Sequence, residues 1–263
     1  MADFQVTVEE ARDHVSVLSF ERAPSNYFTP ELIKALADAL EELAADGRTR
    51  AVVLRGKGRH FCAGADFSSS AGGGNEGDGG GDLDVNSLYT HAIRMFAQPL
   101  PVVAQLQGAV IGGGLGLALA ADFRVAGERA KLAANFSRIG IHQGFGLSVT
   151  LPRLLGEHKA ADLLLTGRTV RSAEALELGL VDAVAPDGEE TGAAAVAKAA
   201  ELAGAAPLAV RAIRATLRAG LVEQIREAVK VEAAEQAKLF VTSDFSEGVT
   251  AAAEKRPANF TAS

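Results

Sequence analysis

Two glycine-rich segments hold the residues best suited to chemistry in this chain, and in both the reactive groups would be backbone amides. The first runs Gly56-Lys57-Gly58-Arg59-His60-Phe61-Cys62-Ala63-Gly64-Ala65-Asp66-Phe67. It reads as a strand exit whose small residues let a ligand come close to the main chain. The second runs from Gly108 through Ile111-Gly112-Gly113-Gly114-Leu115-Gly116 to Asp122, with glycines leading directly into an apolar helical pattern. Unpaired amides at a helix start direct their positive ends toward an anion. Glycine turns before helices also serve packing and loosely match dinucleotide loops, so neither segment alone names a ligand. A P-loop is excluded, because no Gly-Lys-Ser/Thr ending follows. Cys62 sits inside the first segment, where a lone cysteine reads as a small hydrophobe before it reads as a nucleophile.

These segments need strands and helices to aim them. Val15 to Phe20 alternates apolar and polar residues as a half-buried strand does, after a turn at Asp13 and His14. Thr29-Pro30-Glu31 reads as an N-cap, a first-turn proline and a first-turn acid. The helix it opens carries Leu32, Ile33, Leu36, Leu40 and Leu43 and ends near Asp46-Gly47. Ala51 to Leu54, Pro101 to Leu106 and Phe123 to Ala126 suit buried strands. Alternating strands and helices predict an α/β fold.

Ser68 to Asp84 is too poor in apolar side chains to offset its ordering entropy, and reads as an inserted surface loop, either a cover over a ligand or simply tolerated. The apolar pattern resumes at Leu88, Ile93 and Phe96, a helix on which Tyr89 and His91 face either a bound ligand or solvent. From Thr191 onward the chain is alanine-rich and helix-favouring, with Leu217, Leu221, Ile225 and Val229 at helical spacing. The division expected is a core over residues 1–195 and a helical assembly region over residues 196–263.

A chain of 263 residues with 48% hydrophobic content has enough apolar surface for a large core. A single cysteine allows no internal disulfide, and no Cys/His cluster of zinc spacing is present, so no metal is expected. A net charge of -7 gives no global attraction to nucleic acid. The amino terminus lacks a signal-peptide pattern and no apolar run is long enough to span a bilayer, so the expectation is a cytoplasmic protein without a membrane partner.

Taken together and in this order, the two glycine segments resemble those of the crotonase superfamily, the enoyl-CoA hydratase/isomerase family. The likeness continues through Asp122-Phe123-Arg124-Val125, Ile139-Gly140, Leu151-Pro152-Arg153-Leu154-Leu155-Gly156, Leu165-Thr166-Gly167, Gly179-Leu180-Val181-Asp182, and Glu247-Gly248 to Glu254-Lys255-Arg256. The resemblance implies a crotonase-like spiral of ββα units with a helical C-terminal assembly region, and a homotrimer or homohexamer. It implies a CoA thioester as substrate or ligand, with no permanently bound cofactor. Carried over by position, the amides of Ala63 and Gly113 would hold the thioester oxygen. Ala65, Asp66, Arg22 and Lys255 would join the ligand contacts, the tail acting from a neighbouring subunit. Arg22 and Lys255 equally fit solvated surface charges, and Asp66 fits a loop-orienting or capping role.

The likeness fails at the acids. The positions matching the two glutamates of the familiar hydratases hold Gly116 and Phe136, and a third acidic position used by several isomerases holds Gly144. His142, in the stretch from Asn135 to Gly146 expected to line the same pocket, is then the first candidate for a general acid or base; the alternative is a histidine hydrogen-bonded in a loop. Three readings remain open: acyl-CoA turnover of the hydratase/isomerase kind, another reaction such as decarboxylation or thioester hydrolysis, and acyl-CoA binding without catalysis.

Overall fold

The computed structural model describes residues 3–65 and 85–263. The expected loop from Ser68 to Asp84, and Asp66 with it, lies outside the described residues. The fold is α/β, as alternation predicts.

The first strand, β1 (Gln5–Arg12), pairs antiparallel with β2 (Val15–Glu21) across the turn at Asp13 and His14. No strand is expected at β1 from sequence. It is an edge strand with Val8 48% exposed and only Val6 reaching the core, so its apolar signal is weak. Then come α1 (Pro30–Ala45) and β3 (Ala51–Gly56). In α1 the hydroxyl of Thr29 accepts from Leu32 N at 3.3 Å, with Pro30 in the first turn as expected.

After α2 (Val85–Ala97) the chain alternates between two sheets. β4 (Val102–Leu106) joins the larger sheet and β5 (Ala109–Ile111) the smaller, before α3 (Gly113–Ala120). The pattern repeats with β6 (Phe123–Gly127) and β7 (Lys131–Ala133), followed by a 3-10 turn at Asn135–Ile139. Helices α4 (Leu147–Leu155) and α5 (Glu157–Thr166), strand β8 (Thr169–Arg171), α6 (Ser172–Leu178) and β9 (Ala183–Ala185) complete the body. The larger sheet has order β1-β2-β3-β4-β6-β9, parallel from β2 onward; the smaller has order β5-β7-β8. Parallel strands buried on both faces account for the continuous apolar runs of β3, β4 and β6.

Four helices follow: α7 (Glu189–Gly204), α8 (Pro207–Leu217), α9 (Leu221–Leu239) and α10 (Ser243–Glu254). The expected division at residues 195/196 is corrected here, because it cuts α7. That helix lays Ala195, Ala199 and Ala203 on the sheet beside Val17, Val53 and Val103, and so belongs to the body. The stripe from Leu217 to Val229 is likewise broken, at Gly220 with φ 74. Leu217 ends α8 and is exposed, whereas Leu221, Ile225 and Val229 are buried on α9. Asp122 fastens α8 and the residue beyond it to the sheet, accepting from Arg214 Nε at 2.8 Å, Arg218 Nη1 at 2.9 Å and Val102 N at 2.9 Å. Among the described residues no single helix is long and apolar enough to cross a membrane.

Candidate active site

The exit of β3 is built around an asparagine that sequence reasoning passed over. Asn26, buried at φ 53, donates from Nδ2 to the carbonyls of Lys57 and His60, each at 2.8 Å, and accepts from Arg22 N at 2.8 Å. Its only local signal was tolerance of the left-handed region. Beyond it the segment docks beside β5, with Phe61 N donating to Gln107 O at 2.8 Å, Cys62 N to Ala109 O at 3.1 Å and Ile111 N to Cys62 O at 3.0 Å. Cys62 is fully buried and burial raises its thiol pKa to about 12, so it packs as a neutral hydrophobe.

This docking decides which amides remain. Ala63 N donates to Ser25 O at 3.1 Å, so the expectation that Ala63 offers a free donor is corrected. Register explains the error: Ala63 lies where its amide completes the contact with the Ser25 turn, and the chain opens only after Gly64, at φ 95. The Ala65 amide, two residues on, has no acceptor among the described residues.

The second segment supplies its partner. Gly112, at φ 56, donates to Ala133 O at 2.8 Å and accepts at its carbonyl from Leu115 N and Gly116 N, which starts α3. Gly113 N, in the first turn, has no acceptor among the described residues. Glycine is required at 113, because a Cβ would stand 2.5 Å from the ring of Phe28.

Ala65 and Gly113 line one cavity of about 300 Å³. This is small by the standards of ligand sites, enough for an acyl group rather than a whole coenzyme. Its walls are mainly apolar, from Phe28, Leu88, Ile111, Phe136, Ile141 and Phe145, and its polar side chains are Tyr27, Tyr89, Asn135 and Gln236. Among the described residues no Asp, Glu, His, Lys or Arg lines it.

The places expected for acids are filled. A Cβ on Gly116 would stand 2.6 Å from the Cβ of Phe145, and the Phe136 side chain occupies the second position. Phe145 holds this place at a cost, with φ 60 on a bulky residue. Glu232, fully buried on α9, holds the following turn by accepting from Gly146 N at 2.9 Å and Ser148 N at 3.0 Å. Burial raises its pKa, against the lowering effect of these donors. At the third position a Cβ on Gly144 would collide with the Tyr89 hydroxyl and stand 2.6 Å from Gln236 Nε2.

His142 is not among the residues lining the cavity, which corrects its expected place there. Its Nδ1 faces the Gln143 carbonyl at 2.8 Å, the loop-bonded alternative, and its own carbonyl accepts from Gln236 Nε2 at 3.0 Å. Of the pair on α2, Tyr89 lines the cavity, whereas His91 lies beside Arg94, 3.3 Å away. Arg22 donates to the Tyr27 carbonyl at 3.2 Å and pairs with Asp3 at 2.7 Å. Lys255 caps α10 at φ 57, exposed. Neither Arg22 nor Lys255 lines the cavity. The C-terminal helices pack on their own chain: Phe240, Val249, Ala252 and Ala253 line the cavity, and Gly248 packs against Ile139.

The fold agrees with comparisons to known proteins. The family model for enoyl-CoA hydratase/isomerase matches residues 10–263. A Bacillus subtilis protein named as a probable enoyl-CoA hydratase is 33% identical over 249 residues, covering 94% of this chain and 95% of its own. Enoyl-CoA hydratase EchA19 of Mycobacterium tuberculosis is 35% identical over 256 residues, covering 95% and 94%. The crystal structure of an enoyl-CoA hydratase/isomerase from Pseudoalteromonas atlantica superposes with a TM-score of 0.83 at 29% identity, covering 99% of this chain and 100% of that one. A family match over nearly the whole length, on a fold whose glycine segments meet at one apolar cavity, places this chain in the enoyl-CoA hydratase/isomerase family.

Proposed function

We propose that this protein takes acyl-CoA thioesters and stabilises negative charge on the thioester oxygen with the amides of Ala65 and Gly113, without a two-carboxylate water site. One observation carries the reading: two backbone donors with no acceptor among the described residues border the same apolar cavity, and Phe145 and Phe136 fill the places where paired acids would act. Such donors, fixed before the reaction and shielded from water, favour an enolate-like state over its neutral precursor, each contributing on the order of 3 kcal/mol of barrier. Reactions that need mainly this stabilisation, such as decarboxylation or thioester hydrolysis, suit the site better than hydration. Arg22, beside Tyr27 at the cavity wall, and Lys255, at the end of the helix that closes it, are the proposed partners for the CoA phosphates. The exposed Leu208, Ile213 and Leu217 on α8 support assembly into a homotrimer or homohexamer.

The lack of an Asp, Glu, His, Lys or Arg side chain among the described lining residues favours a second reading, an acyl-CoA-binding protein without turnover. Calorimetry with free and acylated CoA, together with turnover of crotonyl-CoA, 3-enoyl-CoA and malonyl-type thioesters, separates the two. Acyl-CoA should bind at micromolar concentrations, and crotonyl-CoA should hydrate at least about 10²-fold more slowly than with a two-glutamate enzyme. Rapid hydration would overturn the proposal, and binding with no turnover of any thioester would select the second reading.

A further inference from the structure

One titratable side chain joins the two glycine segments outside the cavity. The Nδ1 of His60, at the exit of β3, accepts from Ala109 N, at the start of β5, at 3.0 Å. A backbone N–H can only donate, so this ring nitrogen carries a lone pair and the imidazole is neutral, with its proton on Nε2. Glycine is required at 108, at φ 56, because a Cβ there would stand 2.5 Å from the ring nitrogen and collide with the Arg59 carbonyl. The bond opens a ladder that continues with Cys62 N on Ala109 O and Ile111 N on Cys62 O. Just beyond the ladder stand the unpaired amides, Ala65 after Cys62 and Gly113 after Ile111. Their mutual placement is therefore set by how residues 60–62 dock on residues 109–111.

The charged residues of the neighbouring segments are all basic. Lys57 and Arg59 lie on the histidine's own segment, Gln107 and Gly108 opposite are neutral, and Lys131 follows on β7, its amide donating to Gly108 O at 2.7 Å. Among the described residues Arg59 is the charge that acts on the ring, and no carboxylate offsets it. Burial first, and Arg59 second, hold the imidazole below its ordinary 6.5. Protonation would set an N–H against the Ala109 N–H and leave that amide without its acceptor. We infer that His60 is a positioning residue, a latch that keeps the amides of Ala65 and Gly113 in register only while its ring is neutral, so that mild acid releases bound acyl-CoA. The folded ring is harder to protonate than the unfolded one, so the latch contributes fully above about pH 6.5 and is lost as pH falls through the lower folded value. The binding half of the inference rests on the acyl-CoA reading of the cavity.

Two variants of the full chain separate the latch from packing. In His60→Asn the carboxamide oxygen takes the place of Nδ1 and does not titrate, whereas His60→Leu has no acceptor. Calorimetry with an acyl-CoA should show the wild type losing about 5- to 10-fold in affinity between about pH 7.5 and 5, His60→Asn changing by less than about 2-fold, and His60→Leu binding weakly throughout. Hydrogen exchange gives a readout that needs no ligand. The protection factor of the Ala109 amide should fall at least about 10-fold over the same range in the wild type, while the ladder between β2 and β3 keeps its protection. Constant protection at Ala109, or a fall matched by His60→Asn, overturns the inference, and the wild-type profile decides even if a variant folds poorly. Exchange that opens with no change in affinity overturns the positioning role. If no acyl-CoA binds at pH 7.5, the acyl-CoA reading fails and takes the binding half with it, and the exchange profile still decides the latch.

Discussion

Phe145 and Gly116 are locked together: a Cβ on the glycine would stand 2.6 Å from the Cβ of the phenylalanine, whose ring also tilts against Phe28 at 5.7 Å. The relationship explains why residue 116 holds no acid here. Introducing one by Gly116→Glu should not create hydration activity. It should cost about 2–4 kcal/mol through overpacking and a buried charge. Chemical denaturation of the single variants and of Gly116→Glu/Phe145→Ala should give a favourable coupling of about 1–3 kcal/mol, since removing the ring opens the space. Additive costs would show that the two positions do not compete.

The strained turn at Phe145 depends on Glu232, which satisfies two backbone donors just beyond it. Glu232→Ala should lower stability by about 2–3 kcal/mol, because both amides lose a buried acceptor. Denaturant titration measures the loss, and acyl-CoA affinity should fall with it as Phe145 loses its position. A change below about 0.5 kcal/mol would mean that water replaces the carboxylate without cost.

His142 lies outside the cavity lining. His142→Ala should therefore leave acyl-CoA affinity, and any turnover, within about 3-fold of wild type, since its carbonyl rather than its ring holds Gln236. A loss of most activity with acyl-CoA affinity unchanged would return the ring to the mechanism.

The tail should loosen in acid. Arg256 beside Glu247 holds that carboxyl at about 2, below its ordinary 4.5, and Glu247 also accepts from Asn259 N at 2.7 Å. A depressed carboxyl stabilises above its unfolded value and loses that contribution as pH falls toward the folded one. Hydrogen exchange at Asn259 should accelerate, beyond the intrinsic pH trend, between about pH 4.5 and 2, and Glu247→Gln should remove the transition. A wild-type profile matching that of the variant would rule out the pair as the anchor.

How much of this was legible beforehand depended on the range of the forces involved. The N-cap at Thr29 and the runs of β3, β4 and β6 were readable because capping and two-sided burial act on neighbouring residues. The glycines announced both halves of the candidate site, and the expected absence of acids was read at Gly116, Phe136 and Gly144. Which amide remains free was not readable, because Ala63 is spent on Ser25, a partner whose approach depends on the path of the chain before α1. Nor was the Tyr89–Gln236 pair, whose members lie 147 residues apart on helices that meet only in the folded chain. The same applies to α10, whose packing on its own cavity follows from the close contacts of Gly140 with Asp244 and Gly248 with Ile139.

The central claim concerns where the thioester oxygen sits. A crystal structure with a non-reactive acyl-CoA analogue tests it most directly: the oxygen should lie about 2.7–3.1 Å from both Ala65 N and Gly113 N, with the acyl chain against Phe136 and Phe145 and no carboxylate within reach of the carbon beyond it. An analogue whose oxygen bonds Ala63 N instead, or whose acyl chain lies outside the cavity, would contradict the account.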